Sequence, residues 1–341
     1  MDTGRFIPSR AFIEEEALQY SLGEVIRRRL LTLKVPVRVM KHGQRPEVTG
    51  RNPTQVYAES KKTLVVRVRK EKEFSSCKPS AHYQLPLASS CPGLCEYCYL
   101  QTRLGSRPYL RVYANIEEIL AEAGRLIAER EPEITVFEGA ATSDPLATEH
   151  ITGSLRRSID FFGAIPQARF RFVTKFADVE PILGARHEGR TTVRFSVNAN
   201  HVIRAYEHST GTLEQRLDAL GRVNRDGYPV GVMIGPVITF DGWKEEYRGL
   251  LDRLSLTIGE SAAGLPVEII THRFTSRAKD NILSVFPASS LPMQEEDRRL
   301  VYGQFGYTKY VYSKETMGEV RDFFLEEVAR RLPGARIEYL V

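Results

Sequence analysis

From residue 83 onward, short apolar runs alternate with amphipathic stretches, the pattern of repeated strand–helix units. The runs at 83–88, 134–139, 169–176, 192–198, 230–238 and 267–274 read as strands. Between them, Asn115 to Arg130 sets Ile116, Ile119, Leu120, Ala123, Leu126 and Ile127 on one stripe at helical spacing, with Asn115 placed as a cap. The stretch from Thr212 to Gly227 reads the same way. Thr212 and Gln215 form a capping box, and Gly227 marks the stop. Six such units, give or take one, predict an α/β fold with an open, partial (β/α)6 barrel of the TIM type, because eight would close it. A doubly wound sheet is disfavoured, since no G-x-G-x-x-G follows the first strand.

The flanks read differently. Residues 1–82 are expected to form an N-terminal layer packed on the barrel, 83–274 the barrel, and 275–341 a C-terminal extension. In the layer, KKTLVVRVRKEK (Lys61 to Lys72) alternates basic residues with valines at strand spacing. A solvated edge strand is the preferred expectation there, and a strand facing nucleic acid the sharper one. In the tail, YGQFGYTKYVYSK (Tyr302 to Lys314) suggests an aromatic hairpin, with Phe305, Tyr307, Lys309 and Val311 alternating with Gly306, Thr308, Tyr310 and Tyr312. Such a hairpin serves either as core packing or as a surface that stacks bases and contacts phosphates. Arg273, Arg277, Lys309 and Tyr310 are the candidates for gripping a nucleic-acid backbone, with surface charge and core aromatics as the plain alternatives.

Composition narrows the class without choosing the chemistry. The 341 residues are 42% hydrophobic and 27% charged, with a mean hydropathy of -0.29. No apolar run is long enough to span a bilayer, and MDTGRFIPSRAFIEEE lacks the apolar core of a signal peptide. A net charge of +5 permits contact with a polyanion without requiring it. Four cysteines, clustered rather than dispersed, fit a reducing interior and a cytoplasmic enzyme.

Three of those cysteines, Cys91, Cys95 and Cys98, lie as C-x3-C-x2-C in CPGLCEYCYL, just after the first strand. In parallel α/β folds the loops at the strands' C-terminal ends carry the chemistry. A structural zinc wants four ligands, and Cys77 and His82 are loose candidates for the fourth. A disulfide would leave one thiol over. Three thiolates on an iron–sulfur cluster, leaving one iron open to an exogenous ligand, suit the spacing best.

The three cysteines, with Tyr97 as the aromatic before the last, match the signature of the radical S-adenosylmethionine superfamily. The longer text, SSCPGLCEYCYLQT followed by VFEGAATSDP and FVTKF, resembles the spore photoproduct lyase family over most of the chain. The resemblance implies a [4Fe-4S] cluster on Cys91, Cys95 and Cys98, with S-adenosylmethionine on the fourth iron and an external electron donor such as flavodoxin or ferredoxin. It implies a DNA-repair carbon–carbon lyase acting on 5-thyminyl-5,6-dihydrothymine in ultraviolet-damaged DNA of the spore interior. On that resemblance, a 5′-deoxyadenosyl radical would take the C6 hydrogen, the bond joining the thymines would break by β-scission, and a cysteine would return a hydrogen atom. A monomer without membrane contact is expected.

Residue by residue, the resemblance implies that Tyr97 lies against the cofactor's adenine and Tyr99 relays the radical; the plain alternatives are an aromatic packing the cluster loop for Tyr97 and core for Tyr99. Glu138 and Ser143 flank the end of the second strand, where the superfamily holds the methionine part of its cofactor. Lys175, Ser196 and Asn198 end later strands and suit the cofactor carboxylate and ribose, or simply solvated charge and turn chemistry. The chain departs from the family at Ala141, where the hydrogen-donor cysteine is expected and alanine cannot donate. Two explanations are open. An engineered replacement is favoured by the undisturbed motif; a natural member with another donor is the alternative. The expected consequence is impaired final hydrogen donation, and Cys77 has no evident role. Another radical S-adenosylmethionine enzyme acting on nucleic acid, and a zinc-stabilised nucleic-acid-binding protein without catalysis, are the rival functions.

Overall fold

A computed structural model describes residues 5–302, 306 and 308–341. The chain divides into two compact units, one of Met1–Pro92, Leu104–Val193 and Arg225–Pro229, the other of Gly93–Arg103, Arg194–Asn224 and Val230–Val341.

In the first unit, β1 (Arg10–Glu14), β2 (Val37–Met40), β3 (Thr63–Arg67), β6 (Ala88–Ser89) and β8 (Leu110–Tyr113) form a sheet in the order β2-β1-β3-β8-β6. β3 is therefore central, flanked by β1 and β8, and Leu64, Val65 and Val66 are all buried. This corrects both expectations for Lys61 to Lys72. Valine-rich strands buried on both faces read as continuous apolar runs, and here the apolar run outweighs the basic alternation. Lys61 ends α2 (Pro53–Lys61) and is itself buried.

A second set of strands, β4 (Ser76–Cys77), β5 (Ala81–Gln84), β9 (Thr135–Glu138) and β10 (Ala168–Thr174), starts the barrel sheet. β4 pairs antiparallel with β5, while β5, β9 and β10 run parallel. Along β10, Ala168, Phe170, Phe172 and Thr174 are buried in strict alternation. Phe170 stacks on Phe162 of α6 (Ser154–Gly163) at 5.0 Å between centroids. The predicted helix appears as α4 (Ile116–Ala128), and all six stripe residues are buried. Asn115 holds the cap position but does not cap. Its side chain accepts from Arg69 N and donates to Glu118, tying the helix start to another segment. α1 (Ser21–Thr32) and α5 (Glu149–Thr152) complete this unit.

β11 (Thr191–Val197) passes from the residues of the first unit into those of the second, which carries β13 (Val230–Val237), β14 (Pro266–Thr271) and β17 (Arg336–Leu340) in that order. β13, β14 and β17 are parallel neighbours. Around them stand α7 (Asn200–Tyr206), α8 (Leu213–Arg225), α9 (Trp243–Ile258), α10 (Ser276–Val285) and α11 (Lys314–Arg331). Trp243, Tyr247, Phe323 and Phe324 make an aromatic core between α9 and α11. The capping box of α8 forms as expected: Gln215 N donates to Thr212 Oγ1 at 3.2 Å, and Thr212 N to Gln215 Oε1 at 2.9 Å. The tail hairpin is β15 (Arg298–Tyr302) paired antiparallel with β16 (Thr308–Tyr312). Phe305 and Tyr307 lie outside the described residues. Among the described residues, no helix is long and apolar enough to cross a membrane.

Candidate active site

In the first unit, the C-terminal ends of β5, β9 and β10 lie along one edge because the strands are parallel. Glu138 ends β9. It pairs with Arg171 at 3.2 Å and accepts from Ala140 N at 3.2 Å. Gly139 follows, where a Cβ would sit 2.8 Å from the Phe170 ring, so only glycine lets the chain turn there without displacing that ring. The turn delivers Ala141, Thr142, Ser143 and Asp144. Ser90 N donates to Thr142 O at 2.8 Å, and Ser90 bridges Ser143 in parallel. Cys91 is the next residue, and its carbonyl accepts from the buried Lys61 Nζ at 2.9 Å.

Asp144 is buried and receives Thr174 Oγ1 at 3.0 Å and the backbone N of Lys175 at 2.8 Å. Burial pushes its carboxyl up to about 6. Ser143 Oγ beside it in the chain is buried without a hydrogen-bond partner among the described residues. An orphaned buried hydroxyl is rare in folded proteins and suits a polar ligand.

In the second unit, the cysteine loop is stapled to the chain after α7. β7 (Leu94–Cys95) pairs antiparallel with β12 (Glu207–His208), and Glu96 N donates to Tyr206 O at 2.9 Å. Cys98 N then turns back to Cys95 O at 3.2 Å, leading into α3 (Leu100–Leu104). Gln101 holds the turn by donating to Glu96 O at 2.8 Å. The Tyr97 hydroxyl donates to Glu207, and burial, together with that neighbour's charge, raises the phenol well above its ordinary value. Tyr99, in contrast, is 57% exposed. Ser196 is buried near the end of β11, and its carbonyl accepts from Arg216 at 3.0 Å. Asn198 is fully buried, and its amide is taken up by protein: Oδ1 accepts from Tyr247 at 2.7 Å and Nδ2 donates to Pro236 O at 2.9 Å. None of the four cysteines forms a disulfide.

A family model described as spore photoproduct lyase matches residues 6–341. The chain belongs to the spore photoproduct lyase family. Among curated relatives, the spore photoproduct lyase of Clostridium acetobutylicum is 44% identical over 332 residues, covering 97% of this chain and 98% of its own. That of Bacillus subtilis is 40% identical, with 98% of each chain covered. A solved spore photoproduct lyase complexed with dinucleoside spore photoproduct superposes with a TM-score of 0.94 at 40% identity, covering 98% of this chain and 99% of that one. A doubly substituted spore photoproduct lyase, with bound AdoMet and dinucleoside spore photoproduct, matches equally well. As a member of the spore photoproduct lyase family, the chain is a carbon–carbon lyase of the radical S-adenosylmethionine class, built on an α/β partial barrel.

Against the residues expected from sequence, Glu138, Ser143 and Lys175 gather at one strand edge of the first unit, where Asp144 links the last two segments. Tyr97, Ser196 and Asn198 gather in the second. The candidates in the tail also converge. Phe274 and Tyr310 exchange both backbone hydrogen bonds and stack at 5.2 Å, holding the hairpin against the end of β14. Arg273 and Arg277 are exposed, and burial with the nearby Arg273 charge lowers the Lys309 ammonium. Sequence reasoning missed Asp144, Glu207 and Arg216. Arg216 had a signal: it falls on the apolar stripe of α8 with Leu213, Leu217 and Leu220, and all four are buried. A charged residue there needs a buried partner.

Proposed function

We propose that this chain repairs spore photoproduct in DNA, returning the linked pair to two thymines, with a [4Fe-4S] cluster on Cys91, Cys95 and Cys98 and S-adenosylmethionine as cofactor. The observation that carries this is the donor set: three thiols at C-x3-C-x2-C, none in a disulfide, in a chain that matches the family from end to end. Three soft thiolates are the usual ligands of such a cluster and leave one iron open. When bound, cluster and cofactor supply a 5′-deoxyadenosyl radical.

The protein's own residues hold and shield. The orphaned Ser143 Oγ suits a polar group of the cofactor, and Lys175, brought to the same edge by Asp144, suits its carboxylate or a phosphate. Tyr97 lies against the adenine, while the more exposed Tyr99 is placed to exchange hydrogen with a bound reactant. Glu138, already paired with Arg171, contributes charge balance, and Ser196 and Asn198 contribute the shape of the strand end. Arg273, Arg277, Lys309 and Tyr310 grip the DNA backbone beside the hairpin. An external one-electron donor, flavodoxin or ferredoxin, completes the partners.

At the last step, Ala141 leaves no thiol where the family resemblance expects one, so donation of hydrogen to the thymine radical is impaired. A second reading keeps clean repair and assigns the donor to Cys77. What supports it lies in the first unit. Cys77 opposes Ala81 in the β4–β5 pair, and Gln84 at the end of β5 donates to Thr142 Oγ1 at 3.0 Å, one residue from Ala141. Anaerobic reconstitution, with turnover of the dinucleotide lesion, tests both. A protein holding about four irons per chain and releasing thymine dinucleotide supports the function; a colourless, zinc-bound, inactive protein overturns it. Side products from the native chain that vanish in Ala141→Cys favour the first reading. Clean repair that is lost in Cys77→Ser favours the second.

A further inference from the structure

We propose that the buried pair Glu207–Arg216 is a positioning device for the cofactor end of the site, acting through Tyr97 and the end of β11. This rests on the cofactor assignment made above. Both side chains are completely shielded from solvent, with Arg216 Nη2 2.6 Å from Glu207 Oε2. The guanidinium is satisfied on its other sides by Gly211 O at 2.8 Å, Ser196 O at 3.0 Å and Thr210 Oγ1 at 2.8 Å. Glu207 also accepts from the Tyr97 hydroxyl and from Asn198 Nδ2 at 3.4 Å. Asn198 passes the network on to Pro236 O and to Tyr247, which in turn accepts from Ile238 N at 3.2 Å.

One carboxylate thus joins the cysteine loop to β11, α8, β13 and α9. The fold does not need an ion pair for that contact, because two well-packed apolar side chains of similar volume are often as stable or more so. What an apolar pair cannot do is hold a phenol by its hydroxyl and a strand-end carbonyl by its lone pairs, in fixed directions. Tyr97 and Ser196 are the two groups so held. The geometry fits a role in which the pair sets the orientation of the adenine-side wall rather than touching the cofactor itself.

The test separates stability from positioning. Three variants, Tyr97→Phe, Glu207→Gln and the double variant Glu207→Leu/Arg216→Met, are compared with the native chain after cluster reconstitution. Thermal unfolding is read alongside calorimetric binding of S-adenosylmethionine and the electron paramagnetic resonance of the reduced cluster with and without it. Tyr97→Phe leaves the buried Glu207 one donor short, so it is expected to lower the melting temperature and, among molecules still folded, to lose about tenfold in cofactor affinity. The double variant is expected to regain the melting temperature lost by Glu207→Gln without regaining affinity, and to show a changed spectral response to cofactor. Affinity that recovers together with stability would make the pair merely structural, as would native affinity in Tyr97→Phe. A native chain that binds no S-adenosylmethionine would overturn the cofactor assignment itself.

Discussion

Glu149 in the first unit and Glu207 in the second are buried to nearly the same degree, 1% and 3% exposed, and are satisfied in opposite ways. Glu149 ends up against backbone. Its oxygens accept from Leu155 N at 2.8 Å and Arg156 N at 2.9 Å, and from Thr152 Oγ1 at 3.2 Å, so the carboxyl caps the start of α6. Burial pushes it up to about 7. Glu207 is instead paired with a guanidinium as deeply buried as itself. The first arrangement closes one helix end and can be met by any acceptor. The second ties several elements together and fails if either charge is removed. Similar burial therefore says little about a carboxylate's role; its partners decide it.

Removing Glu207 should have the largest effect. Glu207→Ala leaves Arg216 charged and dry, and truncating one member of a buried pair costs about 3–5 kcal/mol. Denaturant unfolding measures it. A loss no greater than that of a surface substitution, within about 0.5 kcal/mol, would erase the distinction between the two glutamates.

The pH dependence of stability probes the other member. An unfolded glutamate ionises near 4.5, whereas Glu149 in the fold holds its proton to about 7. The folded state therefore binds more protons between those values. The stabilisation is complete below about 4.5 and is lost as pH rises through about 7. Asp144, pushed up to about 6, adds a contribution of the same sign. Stability should fall by about 4 kcal/mol between pH 5 and pH 8, about 2.5 of it from Glu149. Glu149→Gln keeps an acceptor for the α6 amides and cannot ionise, so it should remove most of that slope while turnover per folded molecule stays native. An unchanged slope would place the proton elsewhere.

The contrast also explains what could be read from letters. Five of the six predicted barrel strands, the α4 stripe and the α8 capping box are set by local periodicity, and they appear where the pattern put them. The run expected at 83–88 is a strand only as β5, Ala81–Gln84, with Pro86, which has no N–H to donate, just beyond its end. The cysteine motif is likewise contiguous. Glu207 and Arg216 are not, since their meaning lies in a contact between β12 and a buried helix face. Asp144 is similar: a proline-adjacent acid in a turn gave no hint that it would receive the backbone of Lys175. The central place of β3 was hidden for a different reason. Its neighbours β1 and β8 lie far apart in sequence, and register across a sheet is not written in one strand.

Tyr302 offers the smallest effect and the cleanest control, because it shares a unit with Glu207 and nothing else. It is 84% exposed at the end of β15, with Leu300 also exposed, on a hairpin that Arg298 anchors by stacking 3.9 Å over Tyr312 and donating to His272 O and Pro292 O. Burial lowers the His272 imidazole to about 3, so the anchor meets a neutral ring. An exposed tyrosine on a firmly held hairpin loses nothing in folding when truncated. On the proposed function it can stack on a base, a contact worth about 1 kcal/mol or somewhat more. Tyr302→Ala should therefore leave denaturant stability and cofactor binding unchanged while weakening binding to a lesion-containing duplex by about fivefold to tenfold. Turnover of the isolated dinucleotide, which has no flanking bases to stack, should stay native. If the dinucleotide reaction fell as far as duplex binding, Tyr302 would belong with Glu207 in the organisation of the site, and the hairpin would be part of its wall rather than a grip on DNA.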